Sequence, residues 1–231
     1  MPISSEHELI PFETTPLPAG PWLVLAPHPD DEIFGMGGAL VLARERKIPV
    51  EIVFVTRGEL AGDPAVRTRE ALQVAEALQV REVYFLDLPD RKVYEHLNVL
   101  AFKLKNFFTK KFKTIFMPSF FEFHPDHRAT TWAGLAVAPA FKEIWLYEIT
   151  RQGEVNRLLD ISEVFEEKRA LIKVYASQIK QNNYFEVVKS LNKARTYTLS
   201  EVKYAEGFFS ARGFLLGRRY ARWLKRYFPQ S

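Results

Sequence analysis

Short runs rich in Val, Ile, Phe and Tyr recur along the chain at Trp22–Ala26, Glu51–Thr56, Glu82–Leu86, Thr114–Pro118 and Glu143–Ile149. Each has the length and β-branched or aromatic content of a buried strand. Between them, apolar positions recur at helical spacing over roughly 36–47, 65–79, 93–111 and 127–141. Strands that alternate with helices predict βαβ units and a mainly parallel sheet in an α/β fold. Beyond residue 150 the pattern predicts helices over 160–178, 183–195 and 210–227, with a strand near 202–208. Pro11, Pro16, Pro18 and Pro21 oppose helix at the start, so residues 1–21 read as an extended leader and 22–231 as a single domain.

Ligands on open α/β sheets bind outside the carboxyl ends of the strands, where strand order reverses. The residues that follow each strand therefore decide the chemistry. After the first strand comes Pro27-His28-Pro29-Asp30-Asp31-Glu32, closely followed by Gly35, Gly37 and Gly38. Three adjacent acids repel one another, and a bound dication removes that repulsion. His28 and Asp31, three apart around a turn, can converge on one ion and leave Asp30 to act as a base. The competing reading is plain helix capping, for which acids at a helix start are common. After the Thr114–Pro118 strand and an aromatic loop, His124-Pro125-Asp126-His127 opens another helix. One of its histidines can bind metal while the other faces a substrate, and Asp126 can fix an imidazole tautomer.

Composition narrows the choice of ligands. The 231 residues include no cysteine, so thiolate sites and disulfides are excluded, and the histidines number only 5. The two clusters supply a two-histidine, one-carboxylate set. That set suits zinc with an open position for hydrolysis, or ferrous iron in an oxygenase. Asp30 beside the ligands favours hydrolysis, because an activated water needs a base. The net charge of +4 permits anionic partners without demanding them. No apolar run approaches the ~20 residues that span a bilayer, and the start lacks a secretory pattern. A cytoplasmic protein is expected.

These residues resemble the LmbE-like, or PIG-L, family of zinc-dependent N-acetylglucosaminyl deacetylases. The stretch from Leu25 to Glu32, with Phe34-Gly35 and Gly37-Gly38, is similar to the family's first signature, and His124 to Ala129 to its second. Arg67-Thr-Arg-Glu70 and Leu86-Asp-Leu-Pro-Asp90 lie between them. Leu146-Tyr-Glu148, Asp160-Ile-Ser162, Lys168, Tyr175-Ala-Ser-Gln178 and Tyr204-Ala-Glu206-Gly-Phe208 follow in order. The resemblance implies a Rossmann-like fold with the metal site at the carboxyl ends of the strands. It implies Zn2+, or Fe2+, held by His28, Asp31 and His127, with Asp30 as general base. It implies that His124 in protonated form supports the oxyanion and protonates the leaving amine, tuned by Asp126. Arg67 and Asp90 would bind the sugar. The substrate implied is an N-acetylated amino sugar or conjugate, small or lipid-linked, as in surface-glycan assembly. Three positions depart from the family pattern: Arg57 before Gly58-Glu59 where Asp is frequent, Arg91 after Asp90 where Gly is common, and Glu122, where some members carry a tyrosine.

The alternatives are a metal-dependent hydrolase of another amide or ester, and a non-catalytic metal- or glycan-binding protein. The basic, aromatic stretch 212–228 reads as a helix docked on the body or as a peripheral membrane contact. No nucleic-acid motif accompanies its charge, so no nucleic-acid partner is expected. Lys103, Lys105, Lys110, Lys111 and Lys113 read as a solvated helix face. Phe120, Phe121 and Phe123 form either a sugar-stacking wall or core, and residues 151–157 a loop over the site mouth. His7 and His96 match no pattern and read as surface residues.

Overall fold

A computed structural model of the chain describes residues 10–108, 111–139 and 142–212, with residues 211 and 212 described by backbone alone. The strands are β1 (Trp22–Ala26), β2 (Val50–Phe54), β3 (Glu82–Phe85), β4 (Thr114–Pro118), β5 (Glu143–Tyr147), β6 (Arg157–Asp160) and β7 (Ala205–Arg212). The helices are α1 (Asp31–Glu45), α2 (Pro64–Ala77), α3 (Leu97–Lys105), α4 (Pro125–Val137), α5 (Phe165–Val174), α6 (Ala176–Ile179) and α7 (Tyr184–Ala194). Short 3₁₀ turns cover Glu59–Ala61 and Val93–His96.

The strands form one 7-stranded sheet in the order β3-β2-β1-β4-β5-β7-β6. The β3-β2-β1-β4-β5 portion is parallel, while β7 runs antiparallel to both β5 and β6. The chain winds outward from β1 to β3, then returns to place β4 on the other side of β1. The β1/β4 boundary is therefore the switch point of a doubly wound, Rossmann-like sheet.

Side-chain alternation along the strands divides the core in two. Trp22, Val24, Ala26, Ile52, Phe54, Phe116 and Tyr147 face α1, α2 and α5. Leu23, Leu25, Val53, Val55, Ile115, Met117 and Leu146 face α3 and α4. With both faces covered, β1, β2 and β4 are buried at every position, which is why they are mainly apolar along their whole length.

Several elements differ from the sequence expectation. The helix expected over 160–178 is two helices, α5 and α6, preceded by a turn after β6, a strand whose four residues RLLD are too few to show a period. The helix expected over 93–111 begins as a 3₁₀ turn and ends at Lys105. The first helix starts earlier than expected, at Asp31. The strand near 202–208 runs instead to Arg212, so the helix expected at 210–227 does not begin before residue 213. The rest of that helix, and the membrane contact expected over 212–228, lie outside the described residues. Among the described residues no helix is long and apolar enough to cross a membrane. Residues 10–21 contain no helix or strand and are tied down in part by Thr15 N–H to the Leu158 carbonyl (2.7 Å) and Thr198 Oγ1 to the Pro11 carbonyl (2.7 Å).

Helix α1 carries the first cluster and is interrupted at Met36 (φ −139, ψ 26). Gly35 lies against β5, where a Cβ would overlap the Tyr147 ring. The break frees backbone groups that buried charges satisfy. Glu206 of β7 accepts from the N–H groups of Gly38 (2.7 Å) and Ala39 (2.9 Å). Lys168 of α5 donates to the Phe34 carbonyl (3.1 Å), to Asn192 (3.0 Å) and to Glu206 (2.7 Å). Burial pulls the Lys168 ammonium down, against the pull of Glu206. Breaking such a pair from one side leaves an uncompensated charge and orphaned donors. Glu206→Ala is expected to lose about 3–5 kcal/mol of unfolding free energy in urea titration; a loss under about 1 kcal/mol would contradict this role.

Candidate active site

The two acid–histidine turns meet at the switch point. The turn after β1 leads straight into α1, and the loop after β4 leads into α4 with His124 as its N-cap. Together with the segment after β3 they surround a cavity of about 500 Å³. His28, Asp30, Asp31, Arg67, Asp90, His124 and His127 all line it, as do Phe34, Arg91, Phe123, Gln178 and Tyr184. Asp126 lies behind the wall, fully buried.

The centre of the site is one carboxylate oxygen. Asp31 Oδ2 accepts from the His28 backbone N–H (2.9 Å) and lies 3.0 Å from His28 Nδ1 and 3.2 Å from His127 Nε2. The outer nitrogens of both rings face further carboxylates. His28 Nε2 lies 3.2 Å from Asp90 Oδ1 and 3.4 Å from Asp126 Oδ2. His127 Nδ1 lies 3.6 Å from Glu122 Oε2, an ion-pair distance, and makes no hydrogen bond. Burial alone would drive both imidazoles neutral. The hydrogen bonds and charges of Asp126, Asp31 and Asp90 instead hold His28 well above the usual imidazole range. Asp31 and Glu122 raise His127 to about 9. Asp31 is pushed up by burial but held well below the usual carboxylate range by His127 and His28.

This donor set fits a divalent cation. Two imidazole nitrogens flank a single carboxylate oxygen, and each ring has a carboxylate on its far nitrogen, the arrangement that orients metal-binding histidines. The donor atoms of His28, His124 and His127 lie within 4.8 Å of one another, as do those of His28, Asp90, His124 and Asp126. The surplus of buried acid around the two imidazoles is what a held cation would balance.

Asp30 sits apart from that cluster on strained backbone, at φ 128, a conformation that favours glycine and is concentrated at functional sites. Its N–H is held by Glu32 Oε2 (3.1 Å), and Glu32 is itself held by the Tyr175 hydroxyl. Arg67 Nη2 bridges Asp30 Oδ2 (3.1 Å) and the Pro29 carbonyl (2.7 Å), while its Nη1 reaches the Gly58 carbonyl (2.9 Å). Burial raises the Asp30 carboxyl to about 7, against the pull of Arg67.

Three residues sit differently from the sequence expectation. Asp126, expected to tune His124, turns its carboxylate to His28 and to the N–H groups of Arg91 (2.6 Å) and Val93 (3.1 Å). It reaches His124 through the main chain, its N–H donating to His124 Nδ1 (3.2 Å). That bond requires Nδ1 to be unprotonated, so the ring carries its proton on Nε2. Burial and the nearby His28 and His127 charges lower His124 to about 4, so the ring is a neutral donor rather than the expected imidazolium. Asp90, expected to hold sugar, has one oxygen on His28 and the other on the Leu60 N–H (3.0 Å), although it still lines the cavity.

Glu122 was not singled out as a site residue by sequence reasoning. It is fully buried and accepts from Ile149 N–H (2.7 Å) and from Thr150 N–H (3.1 Å) and Oγ1 (2.7 Å), which aims it at His127. An acid set among Phe120, Phe121 and Phe123 was the available signal, since such an acid needs internal partners. The aromatic loop itself divides: Phe120 packs against the α3/α4 core, whereas Phe123 is 65% exposed and lines the cavity.

A phosphate-binding dinucleotide site would need an open, uncharged helix start after β1. Here that start carries Asp30, Asp31 and Glu32, which repel pyrophosphate. Fold and site therefore define a Rossmann-like α/β protein with a hydrolytic rather than a dinucleotide-binding cavity. Residues 23–138 match the PIG-L family, described as GlcNAc-PI de-N-acetylase. The chain belongs to this family, and its reaction class is hydrolytic N-deacetylation. A Bacillus subtilis relative, the probable N-acetyl-alpha-D-glucosaminyl L-malate deacetylase 2, is 29% identical over 185 residues, covering 68% of this chain and 82% of its own. Diacetylchitobiose deacetylase of Thermococcus kodakarensis is 26% identical over 224 residues, 84% of each chain. The solved N,N'-diacetylchitobiose deacetylase of Pyrococcus horikoshii shares the fold, with a TM-score of 0.72 at 23% identity over 84% of this chain and 85% of that one.

Replacing Asp126 by Ala orphans the buried Val93 N–H and the part-buried Arg91 N–H, a buried orphan costing roughly 1–3 kcal/mol. Asp126→Ala is expected to lose about 2 kcal/mol or more in urea unfolding. Wild-type stability would contradict the support assigned to its carboxylate.

Proposed function

We propose that the protein removes the acetyl group from an N-acetylated amino sugar or sugar conjugate, using a divalent metal, zinc, held by His28, Asp31 and His127. The observation that carries this reading is Asp31 Oδ2 set between His28 Nδ1 and His127 Nε2, with Asp30 beside it. A bound zinc would supply Lewis acidity toward a carbonyl oxygen and toward water.

The chain's own groups have separable tasks. Arg67 holds Asp30 Oδ2, leaving Oδ1 to take a proton from the attacking water. His124 offers its Nε2–H to the acetamide oxygen as negative charge builds there. The C–N bond then breaks as Asp30 returns the proton to the leaving nitrogen, giving acetate and a free amine. Asp90, Asp126 and Glu122 hold the two imidazoles in orientation. Arg67 and Asp90 also face the sugar side of the cavity. Cytoplasmic action and a lipid-linked form of the substrate belong to the same proposal, the latter motivated by the sequence of 212–228. Ferrous iron is the alternative metal for this ligand set, and Asp30, placed to serve water, favours the hydrolytic metal.

Acetate release from a panel of N-acetylated sugars and simple amides, with chelator-stripped protein, tests the reading. Release should disappear on stripping and return with one equivalent of zinc. Bound zinc without release from any amide would favour the non-catalytic alternative. Asp30→Asn should lower kcat by about 10²–10⁴-fold at unchanged metal content; a wild-type rate would remove Asp30 from the chemistry. Glu122→Gln should weaken zinc binding by about 10–100-fold in competition with a chromogenic chelator, and unchanged affinity would count against its orienting role.

A further inference from the structure

We propose that Tyr184 is a substrate-contacting residue, its phenol hydroxyl holding a hydroxyl group of the amino sugar while the acetamide is cut. The inference rests on the deacetylase reading and adds a specificity-determining contact to it. Tyr184 is the first residue of α7. At helical spacing Tyr184, Val188 and Asn192 share one face. Val188 and Asn192 are buried, and Asn192 accepts from Lys168 (3.0 Å) and donates to the Ala205 carbonyl (3.2 Å). Those bonds fix α7 against α5 and β7. The face runs out of core at Tyr184, which is half-buried and lines the cavity.

The ring is braced while the hydroxyl is unspent. The Tyr184 ring centroid lies 5.1 Å from that of Phe34. Phe34 is itself buried in α1, with its carbonyl held by Lys168. Neighbouring polar groups of the cavity are committed to the protein. Gln178 Nε2 donates to the Ala61 carbonyl (3.2 Å) and to Ser177 Oγ (3.0 Å), and the Thr150 hydroxyl donates to Glu122 (2.7 Å). Arg67 is spent on Asp30 and on two carbonyls. The Tyr184 hydroxyl takes no hydrogen-bond partner among the described residues. A phenol drawn out of water ordinarily keeps a partner, and here that partner is left to whatever fills the cavity. Burial and the Asp30 and Asp31 charges push the phenol up from its ordinary value, so at neutral pH it is a donor.

The acetamide already has its partners, since Asp30 serves the water and His124 the acetamide oxygen. His124 opens α4, whereas Tyr184 packs against the core on the α1, α2 and α5 face. The two therefore reach the cavity from opposite faces of the sheet, and a ligand seated between them meets both. A pyranose suits the Tyr184 side. Its hydroxyls exchange hydrogen bonds with a phenol, and its C–H edge packs on the ring.

The test is binding, with turnover silenced by Asp30→Asn in the full-length, zinc-loaded protein. Calorimetric titrations would compare methyl N-acetylglucosaminide with its 3-deoxy, 4-deoxy and 6-deoxy analogues. Tyr184→Phe keeps the ring on Phe34 and should weaken binding of the parent sugar about fivefold, as the loss of one uncharged hydrogen bond provides. With Tyr184 in place, at least one deoxy analogue should bind about fivefold more weakly than the parent. That analogue should lose nothing further in Tyr184→Phe, because both changes remove the same bond. Its missing position names the hydroxyl that Tyr184 holds. Unchanged affinity in Tyr184→Phe, an additive loss with every analogue, or no binding of the parent sugar would overturn the proposal. Failure of the deacetylase reading would look different: the coupled loss would stand, with no acetate released by the wild-type protein.

Discussion

The structure is organised around the electrostatics of buried acid at a single point. Asp31, Asp90, Asp126 and Glu122 are all buried around two imidazoles. Carboxylates taken out of water repel one another and are stable only when paired or when a cation is shared among them. The site answers with imidazoles pulled above their ordinary range and Asp31 pushed below its own. A divalent ion satisfies the same demand with more charge in less space. The proposed metal site follows from this constraint.

The fold serves the site by bringing distant turns together without long loops. The parallel core places β1 and β4 side by side, so two turns nearly 100 residues apart in sequence meet, with His28 and Asp126 separated by 98 positions. Buried pairs elsewhere hold the supports in place. Glu206 and Lys168 satisfy the broken middle of α1, and Tyr175 fixes Glu32 behind Asp30. Lys168, Tyr175 and Glu206, from motifs in the later third of the chain, are thus braces for α1 and the turn before it, which accounts for their polar character at buried positions.

Much of this was legible in the sequence, for local reasons. The buried strands β1 and β4 announce themselves as unbroken apolar runs, and each catalytic-type cluster is contiguous, so no long-range contact was needed to notice it. What was hidden is the pairing between segments. That Asp126 faces His28 rather than His124, that Asp90 serves His28, and that Glu122 faces His127 are consequences of strand order, which the sequence does not spell out. Strand β6 escaped because four residues carry no period, and β7 was placed too early because its tail, Phe209–Arg212, runs without a turn signal into the stretch read as a helix.

The most direct measurement is zinc-edge X-ray absorption on protein reconstituted with one equivalent of zinc. The account predicts a nitrogen/oxygen shell at about 2.0–2.1 Å with the multiple-scattering signature of two imidazoles, falling to one in His127→Ala. A spectrum without imidazole, or one unchanged by that substitution, would show that the buried acid at the β1/β4 switch point serves something other than a metal.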